Sequence, residues 1–403
     1  MWKLALRNVL RHKARNGMTL LAIVVGVVGL ILSGGFVHDI FRQLGEILIH
    51  SQSGHIQLAR NGYFDRGARS PEKFLIADPE PLRAEIKALQ GVDDVMARTY
   101  FSGLINNGRS DLPFIGEGVE PGREAVLGSG LLLAAGRRLE EKDKYGMMIG
   151  KGLARDSKLE PGSVATLLVN TPDGALNSLE VEVVGIFQTF SKDYDAHAVR
   201  IPLSLAQELV ATHGANTLVV SLKQTESTET VATMLSDRLA NTGVEIKTWQ
   251  QLNEFYQQTV AMYDAQFGVL RIIILFMVML SVANSVNMSV FERIGEFGTM
   301  MALGNRRGTI ASLIVIENVI VGVAGGSCGI ILGILLALLV SAIGIPMPPP
   351  PNSDLGYVAR VQLVPSVIVS AFAVALVATV AAALFPAARV GRMPVVDALR
   401  QNV

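Results

Sequence analysis

The chain is poor in what most enzymes and secreted domains depend on. Its 403 residues include one cysteine, Cys328, so no intrachain disulfide can form and the fold does not rely on one. Aromatic residues make up 6% and charged residues 17%, against 50% hydrophobic, which is too apolar and too sparsely charged for a soluble enzyme of this length. No G-x-x-x-x-G-K-[ST] run occurs, and Gly128-Ser129-Gly130 lacks the continuation of a dinucleotide fingerprint. H-E-x-x-H, paired-cysteine spacing and a G-x-S-x-G elbow are missing too, and the six histidines, His12, His50, His55, His197 and His213 among them, are scattered. These absences argue against nucleotide hydrolysis, metal chemistry or a serine nucleophile in this chain. It is expected not to be an enzyme, and any energy it uses must come from elsewhere.

What the chain has instead is long apolar runs. Gly17 to Val37 carries no charge over 21 residues, about 31 Å of helix at roughly 1.5 Å per residue, against a hydrocarbon core of about 30 Å. Phe267 to Phe291, Thr309 to Gly344 and Val364 to Ala388 complete a layout of one span, a long gap, then three spans. Residues 1–17 have net charge +5, the short segment 291–308 has +1 and the tail 389–403 has +2, whereas 38–266 holds 22 basic and 30 acidic side chains. Basic short loops stay in the cytoplasm, which puts both termini and 291–308 inside and 38–266 outside. A cleaved signal peptide is the competing reading of residues 1–37. It is disfavoured because the apolar run is longer than the usual h-region and no small-x-small site follows cleanly. The fold class expected is an α-helical membrane protein with four transmembrane helices (1 + 3) and a large mixed α/β extracytoplasmic domain inserted between helices 1 and 2.

In the gap, His55 to Leu58, Val164 to Val169, Val181 to Phe187 and Thr217 to Leu222 read as strands, and Glu80 to Leu89, Leu203 to Thr212 and Glu229 to Asn241 as amphipathic helices. Pro172-Asp173-Gly174 between two strand candidates predicts a hairpin with its tip near Pro172 to Asn177. The mixed-sign run Arg137 to Lys144 reads as a solvated face. Pro346 and Pro348 to Pro351 read as a stiff polyproline spacer between the last two spans, with a docking site as the alternative. Gly322, Gly325, Gly326, Gly329 and Gly333 form three Gly-xxx-Gly pairs that let another helix approach closely. The third run is long enough to tilt, to break near Gly325-Gly326 or to begin in the cytosol. Ser281, Asn284 and Ser285 put polar atoms on the second span, expected to bond a neighbouring helix. Arg271 can snorkel to the interface. Glu317 is an acid inside the third run, either functional or paired with Arg306 or Arg307 near the cytosolic face.

The most informative stretch is the charged island Phe291 to Gly308, FERIGEFGTMMALGNRRG. It reads as a short surface helix with Ile294, Phe297 and Met301 on one face and Glu292 and Glu296 at i, i+4 on another. That arrangement is expected to seat an apolar face against a partner and offer carboxylates to cations.

These residues carry a resemblance. The segment F-E-R-I-G-E-F-G-T-M-M-A-L-G at 291–304 resembles the E-R-x-x-E-I-G-x-x-x-A-L-G type segment of bacterial ABC transporter permeases of the MacB/LolC/LolE/FtsX group. Leu6 to Arg11 resembles that group's amphipathic entry helix. Residues 385–400 resemble its usual ending, with Pro386, Ala388, Pro394, Ala398, Leu399 and Arg400 at matching positions, and 149–205 resemble its outer domain.

The resemblance implies a dimeric permease, two copies or one copy with a paralogue, bound to two ABC ATPase subunits that hold ATP and Mg. No cofactor is expected in this chain, and no nucleic acid as partner. The island would be the coupling helix, with Glu292, Arg293, Glu296, Gly298, Met301 and Gly304 facing the ATPase. Gly322, Gly326, Gly329 and Gly333 would pack helices, and Asn284 and Glu317 would be polar groups within the membrane. Implied boundaries are an entry helix at 1–16, spans at 17–40, 267–291, 309–344 and 364–388, a coupling helix at 292–308, a Pro-rich loop at 345–363 and a cytosolic tail at 389–403. The periplasmic domain at 41–266 would divide into a membrane-proximal part, about 41–100 and 215–266, and a distal part at about 101–214. The implied site of action is a bacterial inner membrane and its lipids. The favoured function is lipoprotein release or export of another hydrophobic cargo by mechanical transmission, with a periplasmic carrier or adaptor as a further partner. A tripartite efflux permease and a signalling permease that activates a cell-wall hydrolase are the alternatives. The short turn at Asn170 to Ser178 departs from the long hairpin that recruits a carrier in the lipoprotein branch.

Overall fold

The computed structural model describes residues 2–11, 13–67, 70–349 and 356–392. It resolves into two compact bodies. The membrane body comprises Met1–Phe41, Thr259–Met347 and Val358–Val403, and the outer body comprises Arg42–Gln258 and Pro348–Tyr357. Tail residues Pro394, Asp397, Ala398, Leu399 and Arg400, together with Pro350 and Pro351, lie outside the described residues.

Among the described residues, four helices are long and apolar enough to cross a membrane. They occur as Lys13–Leu48, Glu254–Glu292, Arg307–Ile343 and Pro365–Arg392. The first two outrun the expected spans, because a helix that leaves the bilayer keeps its hydrogen-bond ladder wherever the sequence has no breaker. The third runs unbroken through Gly325-Gly326, which removes the break from the three alternatives for its length. Neighbouring side chains fill the room those glycines leave. Pro346 lies in a short strand, Ile345–Met347, rather than in a polyproline spacer.

In the membrane body, apolar residues three or four apart face a common core. They include Ile23, Val27 and Ile31 of the first span, Val278, Val282, Val286 and Val290 of the second, and Ala371, Ala375, Ala378 and Ala382 of the fourth. The glycines of the third span form two seams rather than one. A Cβ at Gly322 or Gly326 would meet Thr379 or Phe372 of the fourth span, whereas one at Gly325, Gly329 or Gly333 would meet Ile23, Val27 or Ile31 of the first. The entry helix, Trp2–Arg11, buries Ala5 and exposes Trp2, Leu6 and Leu10 at i, i+4 and i+8. An apolar stripe beside Lys3, Arg7 and Arg11 suits a membrane interface.

The outer body begins with β1 (Ile56–Arg60) and β2 (Val92–Asn106). It continues with β3 (Asp111–Val119), β4 (Leu132–Gly136), β5 (Gly146–Gly150), β6 (Val164–Asn170), β7 (Leu176–Gln188), β8 (Ala198–Pro202), β9 (Thr217–Leu222) and β10 (Val244–Thr248). Strands β10-β1-β9-β2 form an antiparallel sheet whose order is that of a split βαβ unit. Helices Glu80–Lys87 and Thr228–Leu239 bring Ile86, Val231 and Leu235 onto Ile56, Leu58, Val95, Leu218 and Val220 of that sheet.

Strand β2 then runs on into a second unit. Its later half pairs with β3 and β6, β3 pairs with β8, β8 with β5, β5 with β7, and β7 with β6, closing a six-stranded barrel. Alternate residues point inward, among them Phe101, Ile105, Phe114, Leu167, Val169, Val181 and Val183. Gly116 is required where the Phe101 ring crosses its strand, since a Cβ there would lie 2.3 Å from the ring. The β6–β7 hairpin joins Asn170 to Leu176 through Thr171–Ala175, with Gly174 at φ 80°. Strand β4 extends the sheet from the far half of β7.

Candidate functional site

The island is where the membrane body presents a shaped polar surface. The second-span helix stops at Glu292, and Arg293, at φ −109° and ψ 11°, breaks it before a new helix, Ile294–Ala302. The break separates Glu292 from Glu296, which sit on different helices rather than on one continuous face. Gly304, at φ 91°, ends the short helix, and Asn305 reinforces the turn by donating from its Nδ2 to the Met300 carbonyl at 3.0 Å. The third span then starts at Arg307.

Amphipathicity points the opposite way from the first expectation. Ile294, Phe297 and Met301 are buried against the chain's own Val290, Ile310 and Ile314, so the apolar face is spent internally. Arg293, Gly298 and Met301, three of the six residues expected to face an ATPase, are turned inward. Glu292, Glu296 and Gly304 are exposed, in a rim completed by Leu303, Asn305, Arg306 and Arg307. Leu303 is 79% exposed, an apolar side chain standing free among the charged groups of the rim.

Behind this rim lies an ion-pair relay. Arg293 is 6% exposed, stacks over the Phe297 ring at 5.0 Å, and donates from Nη1 to Glu317 Oε2 at 2.8 Å and from Nε to Glu296 Oε2 at 3.1 Å. Glu317 is thus paired with Arg293 and not with Arg306 or Arg307. Its other oxygen accepts from Asn8 Nδ2 of the entry helix at 2.7 Å. Glu296 also faces Arg11 at 3.6 Å. Entry helix, island and third span are therefore tied by one polar cluster. Beside it is a cavity of about 30 Å³ lined by Asn16, Thr19, Ser285, Ser289 and Asn318 among others, room for one or two waters at about 10–15 Å³ each. A guanidinium and a carboxylate removed from water cost several kcal/mol unless paired in good geometry, which is why each has two partners.

Sequence reasoning missed Asn8 and Arg11, because nothing in local spacing indicates which distant helix an Asn will meet. The second-span polar residues divide: Ser285 accepts from Thr19 Oγ1 at 2.6 Å, as expected of an interhelical bond, whereas Ser281 and Asn284 are exposed.

Comparison with known proteins agrees with this architecture. Residues 17–238 match the model of the MacB-like periplasmic core domain, and residues 268–395 match that of the FtsX-like permease C-terminal region. An uncharacterized ABC transporter permease of Methanocaldococcus jannaschii is 24% identical over 84% of both chains. The macrolide export ATP-binding/permease protein MacB of a Shewanella species is 24% identical over 100% of this chain, which spans only 60% of that protein's length. The uncharacterized ABC transporter permease YknZ of Bacillus subtilis is 24% identical over 85% of this chain and 87% of its own. These relatives give no specific support to the lipoprotein-releasing branch. With four membrane-crossing helices, a mixed α/β domain after the first and no nucleotide-binding motif in its 403 residues, the chain belongs to the ABC transporter permeases of the MacB/FtsX type and is a multi-pass membrane protein with a MacB-like periplasmic core domain.

Proposed function

We propose that this permease works with two separate ATPase subunits and a second permease copy to export a hydrophobic cargo, passing the ATPase stroke mechanically to its periplasmic domain. ATP and Mg are held by the ATPase, and both termini and the island are cytosolic. The entry helix rests on the lipid headgroups through Trp2, Leu6 and Leu10. The observation that carries this reading is the island rim, where Leu303 stands out between exposed acids and exposed arginines while the relay behind it reaches two other helices.

An amphipathic small molecule is favoured as cargo over a lipoprotein. The MacB relative is named for macrolide export, and the Thr171–Ala175 turn is too short to project toward a carrier. The charge reversal Glu292→Lys combined with Leu303→Asp is expected to abolish co-purification of the ATPase while the permease itself stays folded. Undiminished co-purification and ATP turnover would sink the coupling role. Mass spectrometry of the wild-type complex would then name the periplasmic partner. A lipoprotein carrier or a cell-wall hydrolase in place of an efflux adaptor would overturn the cargo assignment.

A further inference from the structure

The first-span helix does not end freely. After Leu48 it tightens into a π turn, Ile49–Ser53, followed by Gly54 at φ 64°. A helix end leaves its last carbonyls without partners, and here water cannot supply them, because Ile49, Ser51 and Ser53 are 0%, 3% and 6% exposed. The protein supplies them instead. Leu48 O accepts from Ser53 Oγ at 3.2 Å, Ile49 O from Gly54 N at 3.0 Å, and Ser53 O from Gln57 Nε2 at 2.8 Å.

Two further carbonyls take guanidinium groups. Arg200 Nη2 donates to Ser51 O at 2.8 Å, and Arg98 Nη1 donates to Gln52 O. Both arginines are almost fully buried, at 2% and 1% exposed. Each is neutralised by its own carboxylate. Glu124 takes Arg98 in a two-point fork at 2.7 and 3.0 Å, and Glu117 meets Arg200 at 2.9 Å while accepting from Tyr194 Oη at 2.7 Å. Gly130 lets the loop beside Glu124 press on the turn, since a Cβ there would lie 2.9 Å from the His50 carbonyl carbon.

The origin of the two arginines gives the arrangement its meaning. Arg98 sits on β2 where that strand leaves the four-stranded sheet, and Arg200 sits on β8, a strand of the barrel, facing outward between the core residues Val199 and Ile201. The barrel therefore holds the helix end directly and not only through the sheet it is inserted into. Arg98 binds a carboxylate with one edge of its planar fork and a carbonyl with the other, which Lys cannot reproduce, whereas Arg200 meets its carboxylate and its carbonyl through the same Nη2.

We propose that Arg98 and Arg200 are positioning residues, a two-arginine clamp through which the outer end of the first span moves the inserted barrel. This rests on the mechanical reading above, so two experiments separate them. The first uses the full-length permease alone in lipid nanodiscs, read by hydrogen–deuterium exchange. In Arg98→Met/Glu124→Met, which leaves no buried charge unpaired, the amides of residues 49–54 are expected to exchange about tenfold faster, a lost charge-assisted bond being worth at least one decade. Peptides covering β6 and β7 should keep the wild-type rate. Unchanged exchange at 49–54 would overturn the clamp. If β6 and β7 also loosen, Arg98→Lys decides, since it keeps the charge but not the fork. Faster exchange confined to 49–54 supports the clamp, and a wild-type pattern overturns it. The second experiment adds the ATPase and ATP. Wild type should show ATP-dependent exchange changes in the barrel, and the double variant should lose them while keeping ATP turnover. No response in wild type would break the mechanical reading itself, whereas an equal response in both would break only the clamp.

Discussion

Both bodies bury arginine–carboxylate pairs, and the pairs differ in how they are closed off. In the membrane body Arg293 is shared between Glu317, whose side chain is 12% exposed, and Glu296, whose side chain is 51% exposed and also faces Arg11. In the outer body the Arg98–Glu124 and Arg200–Glu117 pairs are sealed, with every side chain less than 10% exposed. An open cluster can exchange one partner for another at modest cost, because water and incoming groups compensate the charge. A sealed one cannot, so it acts as a fixed joint. The cluster behind the island can thus exchange partners, whereas the pairs at the outer end of the first span keep one geometry.

The largest effect that could break this contrast comes from stranding a charge. Glu124→Ala leaves the sealed Arg98 guanidinium without its carboxylate and is expected to lower stability by about 3–5 kcal/mol in thermal unfolding of the nanodisc-embedded protein, whereas Glu317→Ala, after which Arg293 keeps Glu296, should cost less, about 1–3 kcal/mol. The double replacements Arg293→Met/Glu317→Met and Arg98→Met/Glu124→Met should recover most of that loss. If the doubles are as unstable as the singles, the pairs are not acting as units.

A smaller effect is expected at the glycine seams. Gly329→Ala sets a Cβ 2.7 Å from Val27 Cβ and should cost about 1–3 kcal/mol through overpacking. Gly268→Ala on the second span meets nothing within 4 Å and should be neutral or slightly stabilising. Equal effects at the two positions would show that the close approach is not what requires glycine.

A pH-dependent effect belongs to His55, which burial and the neighbouring His50 push down to about 4. Its Nδ1 accepts from Leu222 N–H at 3.2 Å, and its Nε2 donates to Thr225 Oγ1, whose own proton goes to Glu46. The ring is therefore held neutral. Because its folded pKa lies below its unfolded one, its contribution is complete above about pH 6.5 and fades as the pH falls toward 4. Unfolding of the outer body followed from pH 7 to pH 4 should show this loss of stability, and His55→Gln should flatten it. A wild-type slope in the variant would remove His55 as the cause.

Much of the fold was legible because periodicity and length are local properties. The four spans, the strand Thr217–Leu222 and the hairpin around Pro172-Asp173-Gly174 could all be read from runs and turn chemistry. Strands β2, β3, β4, β5, β8 and β10 were not read. Strand β5, Gly146–Gly150, is buried along its whole length and shows no alternation. In the island, the apolar stripe was visible but its destination was not, since a stripe seeks cover without saying whose.

The sequence by itself determined that this chain crosses a membrane four times, places a mixed α/β segment after the first crossing and carries an amphipathic charged helix between the second and third. Hydropathy, charge bias and helical spacing act over a few turns of chain and need no knowledge of distant residues. Only the tertiary structure decided that Glu317 answers Arg293 and Asn8, that the third-span glycines serve two neighbours, and that Arg98 and Arg200 close on the end of the first span. Those are pairings across 24 to 309 positions of sequence, set by which buried groups can satisfy one another once the backbone has been placed.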